Sequence, residues 1–397
     1  MSKFAVRLQI YSKMFIQRKM AAAIEKFMGW YPIVYVGGPR QSGKTTLLKH
    51  LYGTLPYASL EEPDVRLLAE EDPRRFLSRF SKGGILDEVQ RAPWLFSYLQ
   101  GLVDSDASLR FLLSGSQNFL MMKQVSQSLA GRVGVLTLLP LSSLELSAEQ
   151  VENLTTFMWR GGYPAIYERQ IPPDIFFANY LQTYVERDVR TLKEIGNLTQ
   201  FVRFMRLCAG RVGQPLNMSS LATQAGVAVN TVKTWLSVLE ASYILFFLSP
   251  YHGNFKKRII KSPKLYFFDT GLLCHLLGIA GPEPLDMHPY FGNIFENMII
   301  AELYKKRANA GRRPVFWFWR DQHQHEVDLI IEEEGQLMAI EIKGSQTYNA
   351  RLASGLKRWK KLAGERGARR VLVYSGSGEM KFEDFELLPW ARAVEEI

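Results

Sequence analysis

The stretch Gly38-Pro39-Arg40-Gln41-Ser42-Gly43-Lys44-Thr45, with Thr46 after it, decides the fold of the N-terminal part of the chain. It fits the pattern G-x-x-x-x-G-K-[ST] at every fixed position, with an apolar run before it and a possible helix after it. Glycines let backbone amides close round phosphate groups, and the helix N-terminus adds partial positive charge. We therefore predict that Lys44 reaches the β- and γ-phosphates of a nucleotide and that the Thr45 hydroxyl ligates Mg²⁺. A chance glycine turn before a helix is the alternative.

An acidic pair ends the apolar run Gly84-Ile85-Leu86-Asp87-Glu88. We expect Asp87 to hold Mg²⁺ through water and Glu88 to polarise the water that attacks the phosphate. Such a pair is common by itself, but its position about forty residues after Lys44 makes it specific. The two motifs together predict a site for nucleotide hydrolysis.

Two further polar elements follow along the chain. An apolar run ends in Ser114-Gly115-Ser116-Gln117-Asn118, where a polar side chain can sense the γ-phosphate. Arg132 then stands just before another apolar run. An arginine at this position can complete the site of a neighbouring subunit by stabilising charge on the transferring phosphoryl group. A surface arginine in a loop is the alternative.

The composition is that of an ordinary globular protein: the 397 residues are 47% hydrophobic, 22% charged and 12% aromatic. This length suggests two or three domains at roughly 150 residues each. The apolar content excludes disorder as the main state, and no stretch approaches the roughly 20 apolar residues of a membrane span. We expect no membrane partner and a cytoplasmic location, since two cysteines fit a reducing compartment and the first 20 residues lack a secretory signal. An organelle transit peptide is the alternative.

The chain divides by pattern into five segments, and we predict an α/β fold. After a helical segment over 1–29, residues 30–140 alternate short apolar runs with helical stretches, which indicates a parallel sheet with crossover helices. Residues 141–200 read as helices, and 201–285 as short helices followed by apolar-aromatic strands. Residues 286–397 begin with a helix and continue with strands, a helix and a strand.

The motifs resemble those of a bacterial and archaeal family of predicted AAA+ ATPases whose C-terminal half is a long uncharacterised domain. The similar stretches span nearly the whole chain: GPRQSGKTTLL, LEEPDVRLLAEEDPRRFL, LDEVQRAPWLF, LLSGSQNFLM, SLAGRVGVLTLLPLS, GGYPAIY and YLQTYVERDVR. The resemblance implies a P-loop AAA+ ATPase core over 30–140 and a helical lid over 141–200. It also implies that 38–46 bind ATP with Mg²⁺.

The same resemblance implies roles for single side chains. Asp87 and Glu88 would be the Mg²⁺ and water residues, and Ser116 or Gln117 would be the sensor. Arg132 would be the arginine finger, which implies a ring, for example a hexamer, or at least a head-to-tail oligomer.

Residues 221–236 resemble a helix-turn-helix, and 201–285 are predicted to form a winged helix. Small Ala222 lets two helices approach, and Gly226 supplies the turn. The side chains expected to face a DNA major groove are Asn230, Thr231 and Lys233. The side chains expected to contact phosphates between two wing strands are Lys256, Lys257 and Arg258. A winged helix that packs only on protein is the alternative.

Residues 286–397 resemble the PD-(D/E)xK nucleases, with Glu296 on a helix and Asp328, Glu341 and Lys343 at strand ends. In that chemistry two carboxylates bind Mg²⁺ and the lysine positions or activates water. The alternative is an inherited fold that no longer cuts and only binds or scaffolds. His323 and His325 nearby are either metal ligands or hydrated loop histidines.

The net charge of +10 permits a polyanionic partner such as DNA. The leading hypothesis is therefore an oligomeric, ATP-hydrolysing protein that acts on DNA, including branched or damaged DNA. A nucleotide-switched regulator or scaffold whose C-terminal domains bind protein is the alternative. An ATP-gated nuclease directed at viruses or mobile elements is a third.

Overall fold

Two β-sheets and the helices packed on them make up the computed structural model, which describes residues 15–116, 129–184, 198–251, 262–321, 323–364, 367 and 369–397. The predicted residues Gln117, Lys256, Lys257 and Arg258 lie outside this described part of the chain. Helices and strands are numbered below in chain order within it.

The N-terminal sheet has five strands, all parallel, in the order β2-β3-β4-β1-β5. The strands are β1 Ile33–Gly37, β2 Tyr57–Ser59, β3 Gly84–Asp87, β4 Phe111–Gly115 and β5 Val133–Thr137. Ile33 pairs with both Phe111 and Val133, so the strands start level and their carboxyl ends meet at one edge. The predicted α/β fold with a parallel sheet is confirmed.

Helices cover both faces of this sheet. They are α1 Ala21–Trp30, α2 Lys44–Leu51, α3 Pro63–Glu71, α4 Pro73–Ser78 and α5 Leu95–Ser105. Because side chains alternate along a strand, Val34 and Val36 pack with Leu47 of α2, while Ile33 and Tyr35 lie in the core on the other face. Burial on both faces explains why these strands are continuous apolar runs in the sequence.

A group of short helices follows β5, as predicted for 141–200. They are α6 Ala148–Val151, α7 Leu154–Arg160, α8 Pro164–Glu168, α9 Pro173–Tyr184 and α10 Leu198–Ala209. Asn153 caps α7 by accepting a hydrogen bond of 2.9 Å from the amide of Thr156, and Pro164 opens α8 at a position where no amide is needed.

The predicted helix pair is present as α11 Met218–Ala225 and α12 Val229–Ala241. Gly226 ends α11 with a φ of +68°, and Ala222, Val232 and Leu236 are buried between the helices. Two strands come next, β6 Leu245–Pro250 and β7 Lys264–Phe267, and they are antiparallel. They are followed by α13 Thr270–Leu276 and α14 Pro282–Asp286.

The second sheet has eight strands in the order β12-β13-β11-β10-β9-β8-β6-β7. Its other strands are β8 Phe316–Arg320, β9 Glu326–Glu333, β10 Gln336–Lys343, β11 Arg369–Tyr374, β12 Met380–Lys381 and β13 Glu386–Pro389. The helices of this part are α15 Phe291–Asn309, α16 Ser354–Ala363 and α17 Trp390–Glu396. Strand β6 pairs with β8, so the two expected wing strands extend the sheet of the C-terminal segment.

One hydrophobic core runs from Leu139 to Ile397 and joins the short helices, the helix pair and one face of the eight-stranded sheet. The predicted limits at 200 and 285 therefore fall within a shared core, and the domain division stays a prediction. In the described residues, no helix combines the length and apolar character that crossing a membrane requires.

Candidate functional site

The phosphate-binding loop joins the carboxyl end of β1 to the N-terminus of α2. Gly38 has a φ of +146°, and a Cβ there would lie 2.1 Å from the carbonyl oxygen of Leu138, so only glycine fits. The Lys44 ammonium is folded back onto the loop, where it donates to the carbonyl oxygens of Gly38 at 2.9 Å and Pro39 at 2.8 Å. The first amides of α2 lack acceptors within the helix, so an anion bound at this end of the helix would face them.

Two pockets adjoin this loop. One, of about 350 Å³, is lined by Arg40, Gln41, Gly43, Lys44, Thr45, Thr46 and Glu88. The other, of about 280 Å³, is lined by Phe15, Ile16, Leu141, Pro164 and Ala165 and by the charged side chains of Arg18, Glu168 and Arg169. The two pockets share Gln41, Gly43 and Thr46, so they adjoin one another at the loop.

Asp87, at the carboxyl end of β3, is the centre of a hydrogen-bond network. Its Oδ2 atom accepts from the Thr45 hydroxyl at 2.8 Å and the Tyr57 hydroxyl at 3.1 Å. Its Oδ1 atom accepts from the Ser114 hydroxyl and from the amide of Glu88 at 3.2 Å. Burial and the Asp87 charge raise the pKa of Tyr57, which therefore stays a neutral donor.

The donor set at this edge fits Mg²⁺. The Thr45 hydroxyl and the Asp87 carboxylate lie 2.8 Å apart, next to the loop that the motif assigns to phosphates. Mg²⁺ prefers such oxygen ligands, completed by water and by the phosphates of a nucleotide.

Glu88 lies beside the predicted sensor. Its φ of +54° is in the left-handed region, which costs about 1–3 kcal/mol and persists where the surroundings fix the backbone. The Gln90 amide contacts Glu88 Oε2 and donates to Ser116 Oγ at 3.2 Å, and Ser116 Oγ lies 3.4 Å from the same Glu88 oxygen. The structure therefore brings Glu88 and Ser116 together through Gln90, a residue that the motifs did not single out.

Arg18 connects the segment before β1 to the phosphate-binding loop. The side chain is buried, and it donates to the carbonyl oxygens of Ser42 at 2.6 Å and Leu139 at 2.7 Å and to Glu145 Oε1 at 3.0 Å. Burial opposes ionisation of Glu145, but Arg18 and the amide of Ser142 outweigh it and lower the pKa of Glu145. Arg18 thus fixes the loop against the chain that follows β5.

Helix α15 holds the same chain segment from the C-terminal side. Glu302 Oε2 accepts from the amide of Ser143 at 2.6 Å and from its hydroxyl at 2.8 Å. Lys305 donates to the carbonyl oxygen of Leu141 at 3.1 Å and pairs with Glu302 at 2.8 Å. The short segment 139–145 is therefore bound both to the phosphate-binding loop and to α15.

Arg132 immediately precedes β5, an edge strand of the parallel sheet. It forms a two-pronged pair with Asp104, with Nε at 2.6 Å from Oδ1 and Nη2 at 2.9 Å from Oδ2. The hydrogen bond from Arg132 lowers the pKa of Asp104. Both side chains are partly exposed, so Arg132 is on the surface but held by its own subunit.

The predicted DNA-facing residues of α12 differ in exposure. Asn230 and Lys233 are exposed, whereas Thr231 is half-buried.

The four residues of the nuclease-like motif converge in the C-terminal segment. Lys343 Nζ lies 2.9 Å from Asp328 Oδ2 and 2.8 Å from Glu341 Oε1. Glu296, on α15, accepts from the Tyr266 hydroxyl at 2.6 Å. Burial raises the pKa of Glu296 to about 7 and that of Glu341 to about 8, and the charge of Asp328 contributes to both shifts.

A fifth side chain joins these four. Lys264, the first residue of β7, is 1% exposed, and its Nζ lies 3.2 Å from Glu296 Oε1 and contacts Glu326. Burial works against its charge, but Glu296 and Glu326 outweigh burial and raise the pKa of Lys264.

The resemblance to the PD-(D/E)xK nucleases implies a divalent metal at this place, and the residues present do not fit one. In the described part of the chain no group of three or more His, Cys, Asp or Glu side chains is arranged to hold a metal. Lys264 and Lys343 approach the carboxylates instead. His325 is directed to Asp321, with Nδ1 at 3.0 Å from Oδ2, which favours the interpretation of a loop histidine over that of a metal ligand.

Three residues with important contacts were missed by sequence reasoning: Arg18, Gln90 and Lys264. Gln90 follows the acidic pair within the same short stretch, and this proximity was the signal available. A lysine that opens an otherwise apolar strand was a comparable signal at Lys264. At Arg18 the local sequence offers no motif that could have indicated its role.

Comparison with known proteins gives three adjoining family matches. Residues 31–147 match the model described as an AAA domain, and residues 151–283 and 291–393 each match a domain of unknown function, DUF8612 and DUF4143. The uncharacterized protein Rv2008c of Mycobacterium tuberculosis is 31% identical over 379 residues, which are 94% of this chain and 83% of that protein.

More distant relatives are also found. The uncharacterized protein MJ1544 of Methanocaldococcus jannaschii is 22% identical over 382 residues, covering 87% of this chain and 83% of that protein. Among solved structures, a Walker-type ATPase of Pyrococcus abyssi, PABY2304, is similar with a TM-score of 0.46 and 14% identity, over 68% of this chain and 97% of that one.

Proposed function

Since the chain belongs to the family of AAA-like ATPases that includes Rv2008c of Mycobacterium tuberculosis, we propose that it hydrolyses ATP and acts on DNA as an oligomer. The observation that carries the proposal is the convergence of Lys44, Thr45, Asp87, Glu88 and Ser116 at the carboxyl edge of one parallel sheet.

Each of these side chains has a distinct task in the proposed hydrolysis. Lys44 exchanges its two carbonyl partners for the β- and γ-phosphates. Thr45 and Asp87 hold Mg²⁺, which neutralises charge on the phosphates when it is bound. Glu88 accepts a hydrogen bond from the attacking water, while Gln90 and Ser116 fix the direction of its carboxylate.

The pocket of about 280 Å³ beside the loop is proposed to hold the adenine and ribose. Leu141, Pro164 and Ala165 offer flat apolar contact, and Pro164 and Ala165 belong to α8 in the proposed helical lid. Movement of this lid would therefore change with the nucleotide that is bound.

Oligomer formation is proposed from Arg132. An exposed arginine at the sheet edge can reach the nucleotide of a neighbouring subunit, as in a ring or head-to-tail assembly. It must first leave Asp104, and an exposed pair of this kind is weak enough for that exchange.

DNA is the proposed partner of the C-terminal half. Asn230 and Lys233 are exposed on the second helix of the helix pair, and the net charge of +10 favours a polyanion. No cleavage step is assigned to the nuclease-like cluster around Asp328, because Lys264 and Lys343 contact its carboxylates in place of a metal.

The test is whether DNA stimulates ATP hydrolysis. ATP turnover would be measured with linear, forked and four-way DNA, with Lys44→Ala as the inactive control. Stimulation by DNA supports the proposal. Unchanged turnover on all three DNAs, with active protein, would instead favour the nucleotide-switched scaffold.

A further inference from the structure

The acidic cluster of the C-terminal segment already contains its own counter-charges. Its four carboxylates are Glu296, Glu326, Asp328 and Glu341, and its three cations are Lys264, Lys343 and Arg320. Lys264 approaches both Glu296 and Glu326, and Lys343 approaches both Asp328 and Glu341. Arg320 Nε lies 3.2 Å from Glu326 Oε2. Each carboxylate therefore has a cationic partner, although Glu341 is paired through Oε1 alone and its Oε2 is buried without a hydrogen-bond partner among the described residues.

Backbone packs beside one of the carboxylates as well. A Cβ at Gly355, at the start of α16, would lie 2.6 Å from Glu341 Oε2, so only glycine fits there. A divalent ion normally keeps several water ligands as well as carboxylates, and the Gly355 backbone limits the space for them on this side of Glu341.

Lys264 belongs to a different part of the chain from the carboxylates of the cluster. It comes from β7, which follows the helix pair, whereas Glu296, Asp328 and Glu341 come from the C-terminal segment. A buried ammonium needs carboxylates around it, and buried carboxylates that meet need a cation between them. The Lys264 ammonium and the carboxylates of the C-terminal segment therefore neutralise one another.

From this geometry we propose that two ammonium groups, Lys264 between Glu296 and Glu326 and Lys343 between Asp328 and Glu341, together take the place of the divalent metal of a nuclease centre. The cluster binds no metal, and it serves as an ionic lock that joins β7 to α15, β9 and β10. This inference is independent of ATP hydrolysis, since no residue of the cluster is among the described residues that line the two pockets beside the phosphate-binding loop.

The test is Mn²⁺ binding by the full-length chain without nucleotide, followed by electron paramagnetic resonance. All proteins carry Asp87→Ala, which removes the Mg²⁺ ligand proposed at the phosphate-binding loop, and with no other change this protein should show no saturable Mn²⁺ site at micromolar concentrations. Lys264→Met removes the ammonium at similar side-chain length and should create one site per chain, which a second change, Glu296→Gln, should abolish. Lys264→Arg, which keeps the cation, should behave as the protein with Asp87→Ala alone.

Two results would overturn the proposal. One is a saturable site in the protein with Asp87→Ala alone that Asp328→Asn removes. The other is a Lys264→Met protein that is folded by circular dichroism and still binds no Mn²⁺. If Lys264→Met does not fold, Lys264→Gln takes its place, and the comparison of the Asp87→Ala protein with and without Asp328→Asn decides the matter by itself.

Discussion

The guanidinium of Arg18 donates a hydrogen bond of 2.6 Å to the carbonyl oxygen of Ser42, inside the phosphate-binding loop. The same side chain reaches Leu139 and Glu145, which follow the last strand of the parallel sheet. A loop carbonyl held by a buried cation points away from the phosphate side, which leaves the loop amides for the nucleotide. Arg18 is thus a positioning residue for the site rather than a group that touches the reacting atoms.

Replacing Arg18 by alanine should weaken ATP binding. A hydrogen bond to a charged group contributes about 1.5–3 kcal/mol, which corresponds to roughly a ten- to hundredfold loss of affinity. The loss should appear in KM more than in kcat, because Glu88 and Ser116 are untouched. Lys19→Ala, which removes a neighbouring exposed charge, is the control, and equal losses in the two variants would exclude this role for Arg18. ATP affinity would be measured by calorimetry.

Glu145 should make the free energy of unfolding depend on pH in the acidic range. Its folded-state pKa lies below its usual value of 4.5, so its contribution to stability is fully present above pH 4.5 and is lost as the pH falls through the folded-state pKa. The free energy of unfolding, measured in urea between pH 7 and 3, should therefore fall less steeply on acidification in Glu145→Gln than in the wild type. Glu149→Gln, at an exposed position of α6, should follow the wild-type slope; parallel slopes in all three proteins would contradict the assignment.

Two residues of the nucleotide site are expected to act in different steps, Lys44 in ATP binding and Glu88 in ATP hydrolysis. Lys44→Ala should abolish ATP binding, because Lys44 contacts phosphate in the ground state. Glu88→Gln should bind ATP but hydrolyse it slowly, by roughly 10²-fold or more, because Glu88 acts on water in the chemical step. Equilibrium binding and steady-state turnover distinguish the two variants. Hydrolysis at the wild-type rate by Glu88→Gln would show that another group polarises the water.

The sequence predicted those parts of the site that lie within short motifs. Lys44, Thr45 and Asp87 could be placed because strand, loop and helix follow one another in a pattern that phosphate binding requires. Arg18 could not, because its partners Ser42 and Leu139 are 24 and 121 residues away and meet it only after folding.

In the C-terminal cluster, too, contacts between residues that are distant in the sequence could not be predicted. Asp328 and Glu341 could be recognised by their places at strand ends, but Lys264 belongs to no motif and lies 64 residues before Asp328. Its role depends on β6 joining β8, which brings β7 to the edge of the eight-stranded sheet. Long-range strand pairing of this kind leaves little trace in local composition.

DNA binding should weaken steeply with salt, because basic residues displace counterions from DNA. Changing Lys256, Lys257 and Arg258 together to alanine should weaken binding further and lower the salt slope by about 2 to 3. Fluorescence anisotropy at several salt concentrations measures both quantities. A matched triple variant on α16, with Lys357, Lys360 and Lys361 changed to alanine, serves as comparison. If affinity is unchanged in the first variant and lost in the second, the DNA surface lies on the C-terminal segment.

Substitution of Arg132 tests whether this residue completes the nucleotide site of a neighbouring subunit. Arg132→Ala should bind ATP normally and lose hydrolysis by about 10³-fold, the size of effect that an arginine finger gives. Asp104→Asn, which removes the partner that holds Arg132, should keep or increase turnover. Arg74→Ala, at an exposed position of α4, is the control for loss of a surface charge and should behave as the wild type.

Mixing variants then shows whether Arg132 acts in its own subunit or in a neighbour. A Lys44→Ala subunit cannot bind ATP but carries an intact Arg132, whereas an Arg132→Ala subunit carries an intact phosphate-binding loop. Where the two meet in the right order, one complete site forms, so the mixture should hydrolyse ATP faster than either variant alone. The rate per subunit should also rise with protein concentration, because the site needs two chains. If mixing restores nothing and turnover is independent of concentration, Arg132 is a surface residue whose partner is Asp104.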